Sequence, residues 1–320
     1  MADDMIWANL LHLSYNMWGD WANPKQKGPY WQARPQLRFD EKLWNDLLQK
    51  MAKHKFNMVV IDVGDGIEFA SHPEIAVKNA WTRDKLKSEL KKCRDMGLEP
   101  IPKLNFSTCH DQWMGKYARM VSTPEYYKVC EDLIAETIEA FDKPRFFHLG
   151  MDEEEAIHQT AFEYVVMRQH GLWWRDVKFL FKCCEDRGSR PWIWGDYVWN
   201  HAEEFYKEMP KNVLQSNWYR DPVRGPAKSV YGGKIDMDVE CVRTYVDVDK
   251  AGFDQVPTVS NWETPANISG TMKFCKDHVS KERLKGFLLT PWRPTLEETR
   301  DRHMDAIEHF VMSMEEFKSQ

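Results

Sequence analysis

Residues 145–158 read RFFHLGMDEEEAIH. An apolar run, Phe146 to Leu149, stops at Gly150, and four acids, Asp152 to Glu155, follow at once. A run without polar alternation fits a parallel strand covered on both faces, whereas a strand with one wet face alternates. The acids then stand at the strand's carboxyl end. Related short β-rich runs recur along the chain: 5-MIWANLLHL-13, 57-NMVVIDVG-64, 98-LEPIPKLNF-106, 190-RPWIWGD-196, 212-NVLQSNW-218, 254-DQVPTVSNW-262 and 285-KGFLLTPW-292. Helix-like segments alternate with them, at 40–55, 82–97, 123–141, 173–188, 201–209, 238–252, 268–284 and 295–317.

The punctuation supports this alternation. Thr123 before Pro124 is an N-cap with proline at the first helical position. Thr295 and Glu298 have the spacing of a capping box. Gly97, Gly188 and Gly252 stand where helices end. Eight βα units without a composition break predict the α/β class, a (β/α)8 TIM barrel forming one domain over 1–320. A doubly wound open sheet is the rival. It is disfavoured because 14-SYNMWGDWANPKQKGPYW-31, after the first strand, is long and aromatic rather than a glycine-rich phosphate loop. Three long connections follow strand carboxyl ends: 14–38, 156–172 (expected to hold an extra helix) and 219–237.

The bulk numbers narrow the partners. The chain has 320 residues, 42% of them hydrophobic, and a net charge of −6. Charges of both signs are spread along it, with no basic stripe for a phosphate backbone, so nucleic acid is not an expected partner. No apolar run is long enough to span a bilayer, and no membrane association is expected. The opening MADDMIW carries acids where a signal peptide has a positive region, which leaves the compartment open. Seven Cys occur without CxxC or Cys/His metal spacing. They read as buried small hydrophobes, and neither a metal nor a cofactor is expected.

There are 15 Trp, many beside Gly, Asp, Asn or Pro at the ends of apolar runs. In a barrel the strand ends meet at one face, where such enzymes build their sites. Strand two brings Asp62; strand three brings Lys103, Asn105 and then His110. Strand four brings His148, Asp152 and Glu153, and strand five Trp194 and Asp196, with Trp199 nearby. Strand six brings Asn217, Trp218 and Tyr219, strand seven Asn261, Trp262 and Glu263, and strand eight Trp292. Indoles pack on the C–H faces of sugars, while carboxylates and amides bind the hydroxyls. Adjacent acids in a partly dry pocket also raise one pKa, as a proton donor to a glycosidic oxygen requires. A plainer reading stands beside this one. Acids in the first turn of a helix complement its dipole, and Glu154 and Glu155 fit that role. His148, inside an apolar strand, fits a satisfied core histidine.

The string 148-HLGMDE-153 resembles the H-x-G-x-D-E signature of family 20 glycoside hydrolases, the β-N-acetylhexosaminidases. Other pieces fall in the same order: 101-IPKLNFSTCH-110 ending in His, 192-WIWGD-196, the Tyr-x-Asp of 214-LQSNWYRD-221, and 262-WE-263. The resemblance implies a retaining, substrate-assisted glycosidase acting on a carbohydrate. Glu153 would be the acid and then the base, and Asp152 would orient the 2-acetamido group whose carbonyl oxygen is the nucleophile. Tyr219 would bond that carbonyl. Trp194, Trp218 and Trp262 would wall the pocket, with Asp196 and Trp292 beside them, and Glu263 would hold hydroxyls. His110 and His148 would support the acids. The chain departs from the family in having no Arg at the end of strand one, no α+β domain ahead of the barrel, and Lys103 and Asn105 where acids are common. Arg34, Arg38, Arg220 and Arg224 are candidates to replace the missing Arg. Two rivals stay open: a non-catalytic sugar-binding barrel, and a metal-dependent sugar-processing barrel drawing on His110, His148, Asp62, Asp196 and Glu263.

Overall fold

A computed structural model describes residues 5–18, 30–160, 162–219 and 237–319. All eight expected strands form, every pairing is parallel, and together they make one sheet. They are β1 (Ile6–His12), β2 (Met58–Asp62), β3 (Glu99–Lys103), β4 (Phe146–His148), β5 (Arg190–Trp194), β6 (Leu214–Ser216), β7 (Thr258–Val259) and β8 (Gly286–Leu289). The sheet order is β6-β5-β4-β3-β2-β1-β8-β7. Its two ends also meet: Val256 N donates to Gln215 O and Thr258 N to Asn217 O, each over 2.9 Å. The sheet therefore curls into a (β/α)8 barrel.

The helices are α1 (Glu41–Lys53), α2 (Arg83–Asp95), α3 (Pro124–Ala140), α4 (Gly171–Glu185), α5 (Tyr197–Glu208), α6 (Met237–Lys250), α7 (Ala266–His278) and α8 (Arg300–Ser319). In α1, Leu43, Trp44, Leu47, Leu48 and Met51 recur at helical spacing and are buried against the barrel. Thr123 Oγ1 accepts from Tyr126 N at the start of α3, as its sequence predicts. Gly97, Gly188 and Gly252 take φ near +80°, where a side chain would be strained. The seven cysteines are all buried.

Alternate strand residues point inward, and Leu10, Val60, Ile101, Trp192, Leu214 and Leu288 belong to the barrel's inner core. Toward the carboxyl ends this apolar filling gives way to a polar level. The register pairs His12 with Asp62, Asp62 with Lys103, and Lys103 with His148. Four polar side chains on neighbouring strands thus lie at one height. Lys103 is completely buried and pairs with Asp62, while His12 Nδ1 lies 3.4 Å from the same carboxylate. An unpaired charge here would cost several kcal/mol, so the lysine and the aspartate are each needed to tolerate the other.

Three expectations from sequence are corrected. Among the described residues of 156–172 no extra helix forms, and the 3-10 turn Ala156–Gln159 precedes α4. The Gln159 amide then bonds both Val166 N and Val166 O at 2.8 Å, folding the segment back on itself. Thr295 does not cap α8 with Glu298. Its hydroxyl donates to His12 O at 2.7 Å, tying the end of β1 to the loop after β8. Helix α5 begins at Tyr197, directly after Asp196, four residues earlier than expected.

Candidate active site

The loop that leaves β4 carries the acids, and its backbone is unusual. Gly150, Met151 and Glu153 have φ of 73°, 78° and 57°. The left-handed region costs a non-glycine residue about 1–3 kcal/mol, so such a loop persists only if its surroundings hold it. Gly150 is obligatory: a Cβ there would lie 1.9 Å from Asn105 Oδ1. That same oxygen accepts from Met151 N and Ser107 N, each over 3.1 Å. Glu153 N donates to Asp196 Oδ2 at 2.8 Å. Glu154 is clamped by the buried Arg168, whose Nε and Nη2 reach it at 3.0 and 2.8 Å. Arg168 also meets Asp176 on α4 at 3.2 Å and donates to Phe106 O at 2.6 Å. The expectation of a helical first turn for Glu154 and Glu155 is therefore corrected. Glu154 is the inner half of a buried ion pair, and Glu155 precedes a short 3-10 turn and accepts from Asn200 Nδ2.

These supports bring Asp152 and Glu153 into one pocket, lined also by Trp194, Trp218, Tyr219, Thr258, Ser260, Thr290 and Trp292. It opens at the carboxyl ends of the strands. Asp152 Oδ1 accepts from Asn105 Nδ2 at 2.8 Å. His110 stands between the acids, with Nδ1 3.2 Å from Asp152 and Nε2 3.5 Å from Glu153. The Nδ1 contact is an ion pair rather than a well-aligned hydrogen bond. His158 Nδ1 lies 3.6 Å from Glu153 on its outer side.

The charges set one another. Burial alone would strip the proton from His110, but Asp152 and Glu153 together outweigh it and hold the imidazolium up to about 10. Burial would raise both acids, yet His110 pulls both below their usual range, helped at Asp152 by Lys103 and at Glu153 by His158. Among the described residues, no cation pairs with Asp196. Burial and then the Asp152 charge push it well above the usual carboxylate range, where it lies behind the Glu153 backbone. The donor atoms of His110, Asp152 and Glu153 lie within 4.8 Å of one another, a spacing a metal ion could also use.

Aromatic rings continue out from the pocket. Trp194 and Trp292 have ring centroids 5.7 Å apart, and Trp199 and Trp218 4.6 Å. A chain of indoles runs from Trp18, which packs on His110 at 5.9 Å, through Trp31 at 4.1 Å to Trp262 at a further 5.9 Å. Trp262 thus belongs to this outer chain. Glu263 is exposed and stands outside the pocket lining. His148 is fully buried below the pocket, its ring against Trp192 and Trp194 and its Nδ1 accepting from Gly150 N at 3.1 Å. Arg38 is spent on the carbonyls of Tyr30 and Gln32, and Arg34 is exposed. Arg220 and Arg224 lie outside the described residues.

No family model matches the sequence, and no curated protein matches it. Solved structures do. Flavobacterium johnsoniae chitobiase superposes with a TM-score of 0.62 at 18% identity, over 88% of this chain and 48% of that one. A Vibrio harveyi family 20 exo-β-N-acetylglucosaminidase, in complex with N-acetylglucosamine, gives 0.65 at 10% identity, over 96% and 54%. The fold is that of a family 20 glycoside hydrolase barrel. Dispersin B shares it at 0.58 and 13% identity, with 96% of this chain and 98% of that one covered. The chain spans about half the length of the first two structures.

Within this barrel, sequence reasoning gave no role to several residues that shape the site. Asn105 was visible only as a strand end, and Trp18 and Trp31 only as members of an aromatic loop. Arg168 and His158 gave no signal, because their partners are set by the folding of the loop rather than by spacing.

Proposed function

We propose that the chain is a retaining glycoside hydrolase of β-N-acetylhexosaminidase type. The observation that carries this reading is that Asp152 and Glu153 open into the same indole-lined pocket as Tyr219, with one histidine between them. A sugar ring lies against Trp194, Trp218 and Trp292, and Asp152 accepts the N–H of its 2-acetamido group. This turns the carbonyl oxygen toward the anomeric carbon, with Tyr219 steadying it. Glu153 protonates the leaving oxygen as the C–O bond breaks and the carbonyl oxygen bonds the anomeric carbon. Glu153 then takes a proton from the water that opens the cyclic intermediate. No enzyme nucleophile is needed, an exception to the two-carboxylate scheme. His110 holds the Glu153 carboxyl below its usual range, and with its Nε2 3.5 Å away it is placed to pass Glu153 the proton. Substrate favours that transfer by expelling water and weakening the charged form of the pair. Trp18, Trp31 and Trp262 offer a platform for the leaving sugar.

The test is a panel of aryl glycosides with and without the 2-acetamido group, assayed with and without a chelator. Turnover confined to the acetamido sugars and indifferent to chelation supports the mechanism. Turnover of plain glycosides alone rejects the role of Asp152. Binding without turnover identifies a sugar-binding barrel instead, and loss on chelation a metal enzyme.

A further inference from the structure

Behind the catalytic loop, on the outer side of the barrel, a second constellation has no part in the proposed reaction. We propose that His170, His201 and Glu204 form a binding site for a zinc-type divalent cation. His201 and Glu204 both lie on α5. His170 is the last residue before α4 and faces them from the neighbouring element. One donor atom from each residue lies within 4.8 Å of the other two, and His170 Nδ1 is already 2.6 Å from Glu204 Oε1. Tetrahedral zinc with bonds of about 2.0–2.1 Å needs donors about 3.3 Å apart, so small side-chain rotations close the set.

Two features separate this cluster from an ordinary surface ion pair. First, both histidines depart from regular backbone. His170 has φ 51°, and His201 breaks the α5 geometry at φ −136°, ψ 41°. A left-handed φ at a non-glycine residue, as at His170, collects at ligand sites. Second, the donors are oriented from behind. The His201 ring stacks on Tyr197 at 4.3 Å and 20°, and Trp174 Nε1 donates to the second Glu204 oxygen at 3.3 Å. Outer partners of this kind aim metal ligands. Two imidazoles and one carboxylate suit zinc among the divalent ions and leave a fourth position to water. Bound there, the cation joins the far end of the loop that begins at Asp152 to the helix that begins beside Asp196.

The experiment equilibrates the full chain with zinc chloride, removes excess by dialysis, and reads bound zinc, the melting temperature and the zinc-edge absorption spectrum. One zinc per chain, a raised Tm and two imidazole ligands are expected. His201→Ala abolishes the binding, Trp174→Phe weakens it about 10–100-fold, and Asp152→Asn leaves it intact. The proposal is overturned if no zinc is retained. It is also overturned if binding survives His201→Ala but not Asp152→Asn, or if the spectrum shows one imidazole with two carboxylates. Those last results place the ion on His110, Asp152 and Glu153. The spectrum decides on the unmodified protein even if His201→Ala fails to fold.

Discussion

The side-chain oxygen of Asn105 occupies the space that a side chain at Gly150 would need. Its amide nitrogen meanwhile donates to Asp152 Oδ1 at 2.8 Å. The glycine of the HLGMDE string is therefore required by a neighbour just past the end of β3 as well as by its own φ of 73°. Gly150→Ala must displace Asn105 and with it Asp152. Asn105→Ala leaves Met151 N, Ser107 N and Asp152 each short of a partner. It should cost about 1–3 kcal/mol in urea unfolding and lower turnover of acetamido sugars. A variant with wild-type stability and rate would show that Asn105 does not hold the loop.

Glu153→Gln keeps the shape of the acid and removes its proton. A positioned general acid is worth about 10²–10⁴ in rate, so kcat on unactivated substrates should fall by that amount while the unfolding midpoint stays near wild type. Aryl groups that leave without protonation should lose less. Asp152→Asn should slow acetamido substrates more than plain ones. Equal losses on both would remove the assignment of the nucleophilic carbonyl.

The barrel was legible because its strands are short apolar runs and its helices carry capping signals. Both are local and survive in a single sequence. The strand ends were legible for the same reason, since register follows once the strands are known. What escaped was set through space. The acids Glu154 and Glu155 follow a strand and precede a long insert, as helix-starting acids do, yet Glu154 is bound by Arg168, fourteen residues on. Thr295 and Glu298 have capping-box spacing, but the turn starts one residue later, with Leu296 at its N-cap, and the Thr295 hydroxyl donates instead to the His12 carbonyl. Glu263 sits one residue beyond a strand-end indole and turns outward, a choice of side that the dipeptide alone does not encode.

Asp111 offers a pH test beside the site. It follows His110, is buried, and accepts from Arg119 N at 2.6 Å. Burial pushes its carboxyl up to about 7 against a usual 3.8, with Arg119 opposing. A raised carboxyl pKa means that the folded state holds the proton longer than the unfolded one. Stability is therefore lost as pH rises from about 3.8 to about 7 and stays lost above. Asparagine can accept the same hydrogen bond without the titration. Between pH 5 and pH 8.5, Asp111→Asn should gain about 2–3 kcal/mol relative to wild type, read from urea midpoints at the two pH values. A difference that is flat with pH would place the proton elsewhere.

Arg168 gives the sharpest test of what holds the catalytic loop. Its side chain is fully buried between Glu154 and Asp176, and those two carboxylates compensate its charge, with the Phe106 carbonyl and the Tyr126 hydroxyl also accepting from it. Removing one partner of a buried pair costs about 3–5 kcal/mol, because the other charge is left without water or partner, while replacing the whole group by neutral residues costs far less. Arg168→Met should therefore destabilise the fold by about that amount and lower turnover, since Glu154 is two residues from Asp152 and anchors the same backbone. The triple variant Arg168→Met, Glu154→Gln, Asp176→Asn should recover most of the stability. It should not recover the rate, because neutral side chains no longer pull the loop into its left-handed turn. Paired denaturation and rate measurements separate the two effects. Recovery of both would mean that the turn at Glu153 is held by Asp196 and Asn105 alone.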